Sequence, residues 1–209
     1  MLLPFKDRLA NMKIILGSQS PRRRELLSPV VNFEVVVSNF DESKIHPEDF
    51  PSPKEFVREQ AKCKCEFLTT QITDADIIIT ADTIVFIDNT ILGKPKSHEE
   101  AYEMIKKLNG RVHFVETGVF IWFKSRSGEI RTLSFSEETK IYFDNLSDEV
   151  MRLYADSEDP LDKAGGYGYG AFALSLVKKI EGDFGNSIGL PVNSIAKKLY
   201  EFLEQDEKL

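Results

Sequence analysis

Two long β-rich stretches, Val112–Lys124 and residues 129–143, are separated by only Ser125, Arg126, Ser127 and Gly128. So short a connection cannot carry a crossover, so the two stretches pair antiparallel. This hairpin limits the fold more than any other feature, because the rest of the chain must supply partners for its edges. Helix-like and strand-like segments are mixed along the sequence around it, which places the chain in the α/β class.

Before the hairpin, Lys13-Ile14-Ile15-Leu16-Gly17 is an apolar run ending in glycine and reads as a buried strand. Ser20 caps and Pro21 opens the helix that follows, with Leu26 and Leu27 on its buried side. Residues 33–37 are a second strand candidate, and residues 53–68 a helix offering Phe56, Val57, Ala61 and Phe67 to a core. Residues 76–80 form a strong buried strand that ends in Ala81-Asp82-Thr83. Asp88-Asn89 reads as a hairpin turn between Val85-Phe86-Ile87 and Ile91-Leu92. Ser97 and Glu100 match a capping box, followed by Ala101, Ile105 and Leu108 at helical spacing. Beyond the hairpin, Ser147 caps a short helix, residues 164–171 are glycine-rich, residues 174–180 suggest a strand, and Pro191 opens a final helix. Residues 1–12 read as a loose extension, and residues 13–209 as a single domain.

The composition excludes several classes. The 209 residues are 42% hydrophobic and 29% charged, ordinary for a globular protein that needs no disulfide staples. Cys63 and Cys65 match neither a disulfide framework nor a four-ligand zinc site, and they fit a reducing compartment. No apolar run reaches membrane-spanning length and the first residues lack a secretory core, so the cytoplasm is the expected location. A net charge of −7 argues against nucleic acid as a partner. It also requires any anionic substrate to be held by a local cluster of cations. His46, His98 and His113 lack metal-ligand spacing and read as surface residues. Phosphate-loop, dinucleotide and nucleophile-elbow motifs are absent.

Four constellations remain. Ser18, Ser20, Arg22, Arg23 and Arg24 lie where a strand enters a helix, a place where free N–H groups and guanidinium forks grip phosphate. Three consecutive arginines cannot share one helix face, and a solvated basic face is the alternative. Asp82, after a buried strand, can bind a hard cation or act as a base, or it can be a turn residue. Asp41-Glu42 is a comparable acidic pair in a loop. Lys94 sits in the rigid Gly93-Lys94-Pro95 loop as a phosphate ligand candidate. Asp162-Lys163-Ala164-Gly165-Gly166-Tyr167-Gly168 combines a charge, a ring and glycines that let a ligand approach the backbone.

Taken in order, these segments resemble the Maf family of nucleotide pyrophosphatases. The likeness is carried by residues 17–27, 40–43, 81–85, 92–96, 108–113, 117–119, 159–165 and 186–191, and spans nearly the whole chain from Lys13. It implies an elongated α/β fold, related to inosine triphosphate pyrophosphatases, in which a mixed, bent sheet separates two lobes with a cleft between them. It further implies hydrolysis of a nucleoside triphosphate to the monophosphate and pyrophosphate, with Mg²⁺ or another divalent cation such as Mn²⁺. By the same resemblance Asp82 is the proton acceptor, with Glu42 a second catalytic carboxylate and both binding the metal. Ser18, Arg22, Arg23, Lys64, Thr83, Lys94 and Lys163 match substrate-binding positions. Asp82-Thr83 resembles the branch that prefers dTTP and UTP. Gly170 departs from the pattern, because it stands where a glutamine usually helps to read the base. A homodimer is consistent with the resemblance. The alternatives are the same hydrolysis on modified or purine nucleotides in a house-cleaning role, or a non-catalytic nucleotide-binding regulator of cell division or growth.

Overall fold

The computed structural model describes residues 1–170 and 172–207. Ala171, the last residue of the glycine-rich run, and residues 208–209 of the expected domain lie outside the described residues. A short helix α1 (Lys6–Ala10) precedes β1 (Ile14–Gly17), α2 (Pro21–Leu27) and β2 (Glu34–Val35). Next come α3 (Pro53–Thr69), β3 (Ile77–Ile87), β4 (Thr90–Leu92) and α4 (His98–Leu108). The long hairpin is β5 (Val112–Lys124) and β6 (Ile130–Phe143), followed by α5 (Asp148–Ala155), β7 (Val177–Glu181), α6 (Phe184–Ile188) and α7 (Val192–Glu207).

The strands form one seven-stranded sheet in the order β2-β1-β3-β5-β6-β7, with β4 paired to β3. Helices pack against it, so the α/β class read from the sequence is the class observed. The β1 strand runs parallel to β2 and β3, whereas β3, β5, β6 and β7 pair antiparallel in succession, which makes the sheet mixed.

Local chemistry accounts for most element starts. Ser20, Ser52, Ser97 and Ser147 each accept a backbone N–H from the residue three positions on, capping α2, α3, α4 and α5. Pro21 and Pro53 occupy first helical positions, where a missing N–H costs nothing. Asp88 and Asn89 take φ values of 50° and 59°, the left-handed pair that a tight hairpin turn requires.

Two main cores lie at opposite ends of β3 and β5. Ile77, Ile79 and Ala81 of β3 join Leu16, Val119, Phe123, Leu199 and Leu203 in one. Val85 and Ile87 join Ile105, Val115, Ile141 and Tyr154 in the other. On one sheet face α3 buries Ala61, Cys65 and Leu68 against Ile15 and Ile78.

Three expectations are corrected. Residues 1–12 are not loose: Leu2, Phe5 and Leu9 fall at helical spacing and are buried in the first core. Arg8 and the buried Asp206 form an ion pair that ties this segment to α7. The expected strand at 33–37 shrinks to Glu34–Val35, paired only with β1 at the sheet's end. Residues 174–180 begin as a 3-10 turn, Ala173–Leu176, before β7.

Candidate active site

Asp82 does not follow a strand, as expected, but lies in the middle of one. The β3 strand continues to Ile87 because β5 pairs with it from Ile77 through Phe86. Its other edge is shared. The β1 strand covers it only as far as Thr80, and β4 begins only at Val85. Between them Ala81, Asp82, Thr83 and Ile84 have no strand partner on that side.

This gap explains how neighbouring residues with opposed side chains can line one cavity. Successive side chains of a strand point to opposite faces. Asp82 points to the α3 face, where Lys64 Nζ donates to its Oδ1 at 2.6 Å. Thr83 points to the other face, where its Oγ1 accepts from Arg23 Nη2 at 2.8 Å and lies 3.0 Å from Thr117 Oγ1. The cleft wraps around the free edge and holds about 560 Å³, within the usual range for a small-molecule site. Ser18, Arg22, Arg23, Glu42, Lys64, Asp82, Thr83, Lys94 and Lys163 all line it. The structure thus brings together every site residue that the family resemblance implies, from segments spread across the whole chain, whereas Arg24 and Asp41, candidates by their motifs, do not line the cleft.

Lys64 is buried, and its ammonium reaches two carboxylates, Asp82 at 2.6 Å and Glu42 Oε2 at 3.1 Å. The two acids therefore converge on one cation position. Among the described residues no group of three or more His, Cys, Asp or Glu side chains could hold a metal. Two convergent carboxylates still fit Mg²⁺, which is commonly held by one or two carboxylates together with substrate phosphates and water.

Lys163 is the second buried lysine. Its Nζ donates to the Asp159 carbonyl and to Asp162 Oδ1, both at 2.5 Å, and lies 3.1 Å from Asp159 Oδ1. Burial alone would raise the Asp162 pKa, but the Lys163 hydrogen bond and charge reverse this and hold it below the ordinary value. Gly168 makes room for this lysine: a Cβ there would stand 2.3 Å from Lys163 Cδ. Lys94 is exposed and has no ion-pair partner among the described residues, while its loop is fixed by the Gly165 N–H donating to the Gly93 carbonyl at 3.0 Å. Arg22 Nη1 stands 3.9 Å from Asp162 Oδ2.

Arg23 behaves differently from the expectation of a phosphate ligand. Its Nε donates to the Gly189 carbonyl and its Nη1 to the Ala81 carbonyl, each at 2.8 Å, in addition to the Thr83 bond. Burial pulls its pKa down, opposed by the nearby Asp82 and Glu42 charges, though a guanidinium stays protonated. The Ala81 carbonyl belongs to the unpaired edge of β3, so Arg23 satisfies a backbone group that a strand would otherwise cover. It braces the cleft wall with most of its donors.

His113, expected at the surface, is fully buried on β5, with its Nε2 2.6 Å from the Tyr167 hydroxyl and no partner for Nδ1 among the described residues. Burial pushes its pKa down to about 3. Its ring packs against Tyr167, which lines the cleft, and against Phe143. The unfolded chain, with an ordinary histidine, binds a proton that the folded chain refuses between pH 3 and about 6.5. Stability should therefore fall with decreasing pH across that window, by up to about 1.4 kcal/mol per pH unit from this residue. Melting temperatures measured from pH 7 to 4 should drop less steeply for His113→Gln than for the wild type. Equal slopes would show that His113 does not carry the effect.

Sequence reading alone missed Gln60, which also lines the cleft, and the roles of Asp159 and Gly189. Gln60 could have been found from its position one helical turn before Lys64, on the same face. Asp159 could have been found from its place four residues before Lys163, with which it pairs, whereas Gly189 meets Arg23 and Thr83 only through tertiary structure and leaves no local signal.

A family model described as Maf-like protein matches residues 13–202. Over 198 residues the chain is 40% identical to a dTTP/UTP pyrophosphatase of Thermoanaerobacter sp. (strain X514), covering 93% of this chain and 97% of that one. It is 44% identical over 185 residues to a dTTP/UTP pyrophosphatase of Pyrococcus furiosus, covering 88% and 93%. It is 39% identical over 208 residues to a human probable bifunctional dTTP/UTP pyrophosphatase/methyltransferase protein, where it spans 95% of this chain but only 33% of the human one. Among solved structures, the Ham1 protein of Staphylococcus aureus is 15% identical, with a TM-score of 0.41 over 79% of each chain. The chain belongs to the Maf-like protein family.

Proposed function

We propose that this protein hydrolyses nucleoside triphosphates, dTTP and UTP foremost, between the α and β phosphates, to give the monophosphate and pyrophosphate. The observation that carries this reading is the meeting of Glu42, Asp82 and Lys64 in a cleft that also holds Lys94, Lys163 and Arg22. The relatives named dTTP/UTP pyrophosphatase support the reaction and the substrate class. The described residues include no helix long and apolar enough to cross a membrane. A cytoplasmic location and a homodimer remain part of the proposal.

In this reading Lys94, Lys163 and Arg22 hold the phosphate chain, and Ser18 and Thr83 line its path. Glu42 and Asp82 would hold a divalent cation, which neutralises charge developing on the phosphate oxygens. Asp82 accepts the proton of the attacking water. Lys64 and Lys163 exchange their carboxylate partners for phosphate oxygens as substrate enters. The local cations offset the repulsion that a net charge of −7 exerts on a triphosphate.

A Cβ at Gly170 would approach Asp159 Oδ1 to 2.9 Å, and Asp159 holds Lys163 and accepts from the Tyr154 hydroxyl at 2.7 Å. A side chain at this position would therefore disturb the Lys163 site. The Tyr169 ring, packed edge-on against Phe184 at 5.5 Å, lines the cleft beside it and offers a face to the base. Initial rates on dTTP, UTP, dCTP, ATP and GTP with Mg²⁺ test the proposal, with the first two expected to be fastest. A clear preference for purine triphosphates would contradict the substrate assignment.

Lys94→Ala removes the one cleft lysine without an ion pair among the described residues, so its charge is available to phosphate. A charge-assisted hydrogen bond is worth about 1.5–3 kcal/mol, so kcat/KM should fall roughly 10- to 150-fold. An unchanged value in steady-state assays would place Lys94 outside the substrate path.

A further inference from the structure

Gln60 is only 3% exposed, and its Oε1 is buried without a hydrogen-bond partner among the described residues. A buried acceptor left unpaired costs stability, and leucine or methionine would fill a similar volume without that cost. Its retained benefit lies at the other end of the amide. Gln60 Nε2 donates to the backbone carbonyl of Glu42 at 3.3 Å. Glu42 opens a single exposed 3-10 turn, Glu42–Lys44, and its side chain is 57% exposed. Ile45 and Phe50 seat the later part of this loop against Phe56 and Val57. Around Glu42 itself, the polar contacts to the body of the protein among the described residues are the Gln60 bond and the ion pair with Lys64.

We infer that Gln60 is a positioning residue that holds the Glu42 carboxylate opposite Asp82 and thereby sets the affinity for the divalent cation. The inference rests on the reading of Glu42 and Asp82 as cation ligands. Lys64 now occupies the point where the two carboxylates converge. With a divalent cation bound there, like-charge repulsion removes the Lys64 bridge. The Gln60 amide is then the remaining polar tether from α3 to the Glu42 backbone. Gln60 and Lys64 lie one turn apart on the same face of α3, so the helix presents the tether and the bridging cation in register.

The test uses Gln60→Leu and Gln60→Met, two side chains of similar volume without a donor. Mn²⁺ binding to the nucleotide-free protein is measured by electron paramagnetic resonance, melting temperature in chelator, and turnover as a function of Mg²⁺. Loss of one hydrogen bond should weaken Mn²⁺ binding roughly three- to tenfold. The Mg²⁺ concentration for half-maximal turnover should rise by a similar factor, with a smaller change in kcat at saturating Mg²⁺. Melting temperature should stay level or rise, because the unpaired acceptor is gone. A structural role would give the reverse, and variants that melt early or fail to fold would overturn the inference. Wild-type Mn²⁺ affinity in folded variants would also overturn it, while leaving the ligand assignment intact. A wild-type protein that binds no Mn²⁺, either alone or together with a non-hydrolysable dTTP analogue, would overturn the ligand assignment and the inference with it.

Discussion

Asp82→Asn should fold and bind nucleotide as the wild type does, yet turn over about 10²- to 10⁴-fold more slowly. The Asp82 side chain is 14% exposed, and its Oδ1 accepts from Lys64 at 2.6 Å. An asparagine oxygen can still accept that bond, so the buried ammonium is not stranded and the strand pairing opposite Gly118 is untouched. What disappears is the negative charge that would hold a cation and the basic oxygen that takes a proton from water. Nucleotide affinity should hold or tighten, because one anion leaves the neighbourhood of the phosphates. Melting temperature, calorimetric affinity and pyrophosphate release on a single preparation separate these effects. A folded variant with wild-type turnover would remove Asp82 from the chemistry and make Glu42 the base.

Gly118→Ala should be the most damaging small substitution in the sheet. Gly118 lies opposite Asp82 on β5, directly beneath α3. A Cβ at this position would stand 2.3 Å from the Val57 carbonyl oxygen, 2.4 Å from its carbonyl carbon and 2.6 Å from the Arg58 nitrogen. These are backbone atoms and cannot rotate away, so the helix must lift by roughly 1 Å. Overpacking of this kind costs about 1–3 kcal/mol or more. In a chain of this length that lowers Tm by roughly 2–12 °C. The same lift moves Lys64 and Gln60 relative to Asp82. A displacement of about 1 Å near the chemistry can cost around 10²-fold in rate. Activity should therefore fall even where circular dichroism shows the variant fully folded. Wild-type melting and turnover would mean that α3 is not seated on Gly118.

Features set by local chemistry were legible in the sequence. The serine caps, the two helix-opening prolines, the Asp88-Asn89 turn and the long hairpin depend on residues within a few positions of one another. The candidate site residues were legible through the order of their motifs, and the cleft collects those that the family resemblance implies, leaving out Arg24 and Asp41. The misreadings have two origins. Some signals were present but passed over. Leu2, Phe5 and Leu9 carry a helical period, and His113 alternates in step with the buried Val115 and Thr117. That period of two was masked because β5 is buried on both faces along most of its length.

Other features depend on distant parts of the chain. Ala81-Asp82-Thr83 interrupts an apolar run and looks like a strand end, yet β5 pairing carries the strand through it. Arg23 sits in a motif suited to phosphate, but its guanidinium is occupied by carbonyls 58 and 166 residues away. No local pattern could have distinguished a brace from a ligand at that position. The free edge of β3 likewise exists only because β1 ends and β4 begins on either side of Asp82 and Thr83.

The central claim is that this cleft directs water to break the bond between the α and β phosphates. The most direct test is to incubate the wild-type protein with dTTP and Mg²⁺ and follow the products by phosphorus NMR. The account predicts thymidine monophosphate and pyrophosphate appearing in equal amounts from the first time point, with no diphosphate intermediate. Release of orthophosphate with accumulation of thymidine diphosphate would contradict it, as would the absence of any turnover by folded protein.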